Sequence, residues 1–116
     1  MLNEPTERRR SRRYVLHLPI HYRVAEKGAL PCTGSGTTCE MSNAGLSFRC
    51  RRTLPVGAHV ELTVVWPTRQ ADLYSVELLM TGFILRSNER GRVGVRVTSH
   101  RFRVDTEPAV AMGAIA

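Results

Sequence analysis

The chain has 116 residues, 42% of them hydrophobic, and a net charge of +7 at pH 7. That length holds one domain with a compact core; no stretch reaches the run of about 18 apolar residues a membrane-spanning helix requires, and no apolar segment follows the N-terminal arginines as a secretory signal would demand. The charge calls for an anionic partner, and a cytoplasmic protein with no membrane association is the expectation.

Residues 1–14 read as a flexible leader. They hold five of the sixteen arginines, Arg8, Arg9, Arg10, Arg12 and Arg13, whereas the whole chain has one lysine, Lys27. Guanidinium forks pair bidentately with phosphate and with the N7/O6 edge of guanine, while lysine acts as a point charge. A phosphorylated or planar anion is therefore the expected partner. A GC-rich genome produces the same overall excess of arginine but does not account for the local cluster.

From Leu16 the chain alternates: Leu16, Leu18, Ile20, Tyr22 and Val24 on one face, His17, Pro19, His21 and Arg23 on the other. A period of two predicts a half-buried strand. Pro19 has no N–H to give a ladder, so the strand is expected at a sheet edge or with Pro19 at a gap in the pairing. On a strand His17 and His21 stand roughly 13 Å apart, too far to share a metal; they read as surface histidines.

Residues 26–36 (EKGALPCTGSG) read as a flexible turn region and 37–41 (TTCEM) as a short strand. Ser42–Gly45 (SNAG) reads as a tight turn in which Asn43 and Gly45 tolerate positive φ. Residues 46–50 follow with Leu46, Phe48 and Cys50 inward and Ser47 and Arg49 outward, completing a hairpin. After a turn at Leu54–Gly57 comes a strand with Ala58, Val60, Leu62, Val64 and Trp66 on one side. A loop over 67–72 leads to a long apolar run, 73–86. Its Tyr, Val, Phe and Ile favour strand over helix, and Gly82 suggests a bulge that flips the register. Asn88–Gly91 reads as a hairpin turn, and Val93, Val95 and Val97 face inward on a last strand. Residues 105–116 are weakly patterned and read as a frayed tail.

About six short strands with Gly- and Pro-rich turns and little or no helix predict an all-β, six-stranded antiparallel barrel over 15–104, closure being the way to remove exposed edges. Cys32, Cys39 and Cys50 are odd in number and irregularly spaced, with no CxxC, so free thiols are expected rather than a zinc site.

Two stretches carry a resemblance. ERRRSRR places Arg9 and Arg13 in an RxxxR arrangement. EMSNAG, some 27 residues on, places Glu40, Ser42 and Gly45 in an arrangement similar to [D/N]xSxxG. With LHLPIHY between them and GRVGVRV near the end, residues 7–102 resemble the PilZ domain family. The resemblance implies a small β-barrel that binds the bacterial second messenger cyclic di-GMP, performs no chemistry on it and needs no cofactor. It assigns the ligand to Arg9, Arg13, Glu40, Ser42 and Gly45, and it makes Arg8, Arg10 and Arg12 secondary contacts for a second ligand molecule. Arg9 and Arg13, four apart, reach one side of the ligand, to fork onto phosphate or guanine. Ser42 offers a hydroxyl, and Gly45 lets the ligand approach the backbone. Ordering of the leader on binding would signal to a protein effector of motility, pilus or exopolysaccharide machinery. Glu40 departs from the family pattern, which has Asp or Asn there to accept from the guanine N1–H and N2–H edge; it keeps the carboxylate and adds a methylene.

Two other readings share the barrel. One is a PilZ-like adaptor that binds no nucleotide. The other is a basic barrel for single-stranded nucleic acid, disfavoured because Trp66, Phe48 and Tyr22 fall on core faces, whereas a stacking platform needs outward aromatics. An enzyme has the least support. The chain has neither a GxSxG elbow nor a P-loop, and GSGTTC puts Cys39 where a dinucleotide fingerprint needs its third glycine.

Overall fold

Alternating burial along most of its strands builds the molecule, which is described for residues 12–67 and 75–105 by a computed structural model. The expected leader as far as residue 11, most of the 67–72 loop and the tail from residue 106 lie outside the described residues. Within them the chain is all β: β1 (Tyr14–Val15), β2 (Pro19–Ala25), β3 (Cys32–Met41), β4 (Gly45–Arg49), β5 (His59–Trp66), β6 (Ser75–Ser87) and β7 (Arg92–Asp105). All pairings are antiparallel. Six strands run β2–β3–β4–β7–β6–β5 and back to β2, a closed barrel, while β1 is an extra strand on the β3 edge. Inside lie Ile20, Tyr22 and Val24 of β2, Leu46 and Phe48 of β4, Val60, Leu62 and Val64 of β5, and Val93 and Val95 of β7. These are the faces that the alternation marks as apolar.

β2 is not an edge. It pairs with β3 on one side and β5 on the other, and Pro19 is its first residue. The gap that Pro19 leaves separates β1 from β2 along the same edge of β3. Thr38, fully buried, mends it. Leu18 N–H donates to Thr38 Oγ1 at 2.8 Å, and the same hydroxyl donates to the Leu16 carbonyl. On either side, Thr38 N–H donates to Leu18 O at 2.9 Å and Leu16 N–H to Cys39 O at 3.2 Å. One side chain thus replaces two missing ladder bonds. Thr38→Val is expected to orphan both backbone groups and cost about 1–3 kcal/mol for each that water cannot reach. A urea midpoint that falls with an unchanged slope, restored by Thr38→Ser, is the expected result; an unchanged midpoint contradicts it.

Three sequence expectations need correction. Residues 32–36 belong to β3 and not to a flexible turn. Their glycines reflect packing, since a Cβ on Gly34 would lie 2.3 Å from the Tyr22 hydroxyl oxygen and 2.5 Å from the ring carbon bearing it. A bulge does occur at Gly82, its extra residue being Thr98 of β7, but it does not flip β6: Leu78, Met80, Gly82 and Ile84 all stay inward. The flip in β6 comes at Leu85, after which Ser87 turns toward Leu54 and accepts its N–H at 2.8 Å. Finally, β7 runs on to Asp105, so β6 and β7 extend as a long hairpin in which Phe102 packs edge-on against Trp66 at 5.3 Å.

Burial pushes the Tyr22 phenol pKa above its ordinary 10.0, with the adjacent Cys50 and Cys32 adding to the effect. The three cysteines are free thiols, and His17 and His21 are exposed. Among the described residues no helix is long and apolar enough to cross a membrane.

Candidate ligand-binding site

The turn between β3 and β4 is held by its own serine. Ser42 N–H donates to the Gly45 carbonyl at 2.8 Å, and Ser42 Oγ accepts from Ala44 N–H and Gly45 N–H, each at 3.3 Å. The expectation of positive φ does not hold, because among the described residues only Gly28, Gly57 and Gly91 have it. Gly45 is required for another reason. A Cβ there would stand 2.3 Å from the Val95 carbonyl oxygen, so only glycine lets the start of β4 lie against β7.

Two bulges then aim side chains outward. Thr38 pairs with Phe48 but Glu40 pairs with Ser47, leaving Cys39 as an extra residue. Strict alternation would send Glu40 inward after buried Thr38; the bulge turns it to the outer face beside Ser47. In β6 the extra residue Leu85 does the same for Arg86, which pairs with Gly94 instead of following Ile84 into the core. Gly94 carries no side chain on that outer face, and Arg86 lies over it, its Nε 3.2 Å from where a Cβ would be.

The result is an open cleft of about 800 Å3 on the outer wall, within the usual size of small-molecule sites. Ser47 and Gly94 stand directly opposite each other on β4 and β7, with Arg92 and Arg96 on either side of Gly94. Arg92 Nη2 donates to Ser47 Oγ at 3.3 Å. At the other rim β1 pairs with Glu40 and Met41, which brings Arg13 to the cleft. Arg13 Nη1 is 3.8 Å from Glu40 Oε1, with the two side chains 70% and 38% exposed. An ion pair that exposed adds little to stability and leaves both groups available to a ligand.

Of the site residues expected from sequence, Arg13, Glu40, Ser42 and Gly45 line this cleft together. Arg12 is exposed and does not line it. Arg8, Arg9 and Arg10 lie outside the described residues. Sequence reasoning missed Arg86, Arg92 and Arg96, which give the cleft four arginines against one carboxylate. The signal for Arg92 and Arg96 was present as the outward positions of GRVGVRV, but not the strand they face. No group of three or more metal-ligating side chains forms among the described residues.

A family model, that of the PilZ domain, matches residues 7–107, most of the chain. Comparison with curated proteins gave no match, and comparison with solved structures gave none either.

Proposed function

This chain belongs to the PilZ domain family, and we propose that it is a receptor for cyclic di-GMP, gripping the ligand between its arginine-rich leader and the turn from β3 to β4. The observation that carries this reading is the meeting of Arg13, Glu40, Ser42 and Gly45 at one arginine-lined cleft. The ligand has two phosphates and two guanines. Arg9 and Arg13 fork onto phosphate or guanine N7/O6. Glu40, turned outward by the Cys39 bulge, accepts from the guanine N1–H and N2–H edge. Ser42 and Gly45 shape the turn on which the base rests, and Arg8, Arg10 and Arg12 reach a second ligand molecule. Folding of the leader over the ligand presents a new surface to a protein effector of motility, pilus or exopolysaccharide machinery, and the site is cytoplasmic and needs no cofactor.

Calorimetric titration of the full chain with cyclic di-GMP tests this, with saturable heat at micromolar ligand expected. Absence of heat at high ligand concentration would reject the reading and leave an adaptor that does not bind nucleotide. Glu40→Asp is expected to hold affinity or raise it, because the shorter carboxylate matches the family pattern and draws back from Arg13. Weaker binding by that variant would contradict the role given to Glu40.

A further inference from the structure

A second cleft, of about 540 Å3, lies at the Arg49 end of β4, between residues 35–37 of β3 and the turn at 89–91. Three guanidiniums line it, Arg49, Arg51 and Arg90, with one carboxylate, Glu89. Ser35 and Thr37 add hydroxyls from the exposed positions of β3. None of the four described residues that match the family motif, Arg13, Glu40, Ser42 and Gly45, lines this cleft.

Among the described residues these charges are matched only in part, Glu89 being the single carboxylate that lines the cleft. Among the described residues Glu40, Glu61 and Glu77 each pair with an arginine, namely Arg13, Arg23 and Arg103. The side chains of Arg49, Arg51 and Arg90 have no such partner among the described residues. Arg49 also stands directly opposite Arg92 across the β4–β7 ladder. Like charges at directly opposed positions destabilise a sheet, and among the described residues no carboxylate forms an ion pair with either arginine. The clearest remedy is an anion from outside. Guanidinium forks and hydroxyls are the donor set for phosphate oxygens. Three positive groups against one negative group match a doubly charged anion better than a lone carboxylate.

We infer that this second cleft binds the phosphomonoester or diphosphate group of a small molecule through Arg49, Arg51 and Arg90. This does not depend on cyclic di-GMP being the ligand of the first cleft, and the two can fail separately. The test is a titration of the 15N-labelled full chain with inorganic pyrophosphate, ionic strength being held constant with sodium chloride and amide shifts followed residue by residue. Saturable shifts are expected at Ser35, Gly36, Thr37, Arg51 and Gly91. The double variant Arg51→Ala/Arg90→Ala, whose substitutions are at exposed positions, is expected to keep a dispersed spectrum and to weaken binding about tenfold or more. Arg51→Lys/Arg90→Lys, which keeps charge but loses the fork, is expected to recover only part of that loss. Shifts that rise linearly without saturating, or that move in parallel at Arg23, Arg101 and Arg103, would mean charge screening alone and overturn the inference. So would saturable shifts confined to Gly45, Ser47 and Gly94. Tighter binding of a polyglutamate peptide than of pyrophosphate at the same amides would also overturn it, since the cleft would then be a seat for an acidic protein segment.

Discussion

Gly45→Ala is expected to separate the start of β4 from β7 and to abolish binding of cyclic di-GMP. The new Cβ would sit 2.3 Å from the Val95 carbonyl oxygen. A backbone atom cannot turn aside as the end of a flexible side chain does, so the ladder must shift. Forcing an extra group into a packed site costs about 1–3 kcal/mol. The damage falls on the cleft, because Gly45 pairs with Arg96, and Leu46 and Ser47 pair with Val95 and Gly94 in the next two registers. Gly45→Asn separates this account from the one based on backbone conformation. If the position needed positive φ, asparagine would be tolerated better than alanine. Because close approach sets the requirement, asparagine is expected to be at least as damaging. Urea denaturation and ligand titration of the two variants side by side decide the matter, and a Gly45→Ala protein with a wild-type midpoint and affinity would refute the packing account.

The barrel is legible in the sequence wherever one rule, the period of two, operates without interruption. Ile20, Tyr22 and Val24, or Ala58, Val60, Leu62 and Val64, announce their faces, and closure follows from the need to pair every edge. Illegibility begins where a single inserted residue shifts the phase. Cys39, Leu85 and Thr98 are bulged residues with no compositional mark of their own, yet two of them decide that Glu40 and Arg86 face the cleft and not the core. Gly34 and Gly36 misled for a related reason. Glycine marks turns by its conformational freedom, but here it stands in β3, where Tyr22 and the Arg49 carbonyl come too close for any side chain. Arg92 and Arg96 could be read as outward-facing. Their place beside the SNAG turn depends on β4 pairing with β7, some 50 residues apart in the chain, which periodicity cannot convey. The motif residues became legible only as a pair of patterns in order, since either pattern alone is common in a chain this rich in arginine.

Arg13→Ala is expected to lower affinity for cyclic di-GMP by about 1–3 kcal/mol, which is roughly five- to 150-fold, while leaving stability almost unchanged. The two effects come apart because of how Arg13 is held. Its contact with Glu40 is 3.8 Å long and its side chain is 70% exposed, so removing it costs the folded state about 0–1 kcal/mol. A bound phosphate or guanine edge would receive a full bidentate fork from the same group. Arg9→Ala is expected to match Arg13→Ala in affinity, both being members of the RxxxR pair. Arg12→Ala is the informative comparison for the first ligand molecule: Arg12 carries the same charge one residue away, does not line the cleft, and is assigned only to a second molecule. A leader acting only as diffuse positive charge would lose equal affinity at positions 12 and 13, with equal changes in salt dependence. A leader that grips through specific forks loses much more at 13. Equal losses, measured by calorimetry at two salt concentrations, would reduce the RxxxR pair to a charge cloud and remove the ground for placing the nucleotide between the leader and the turn.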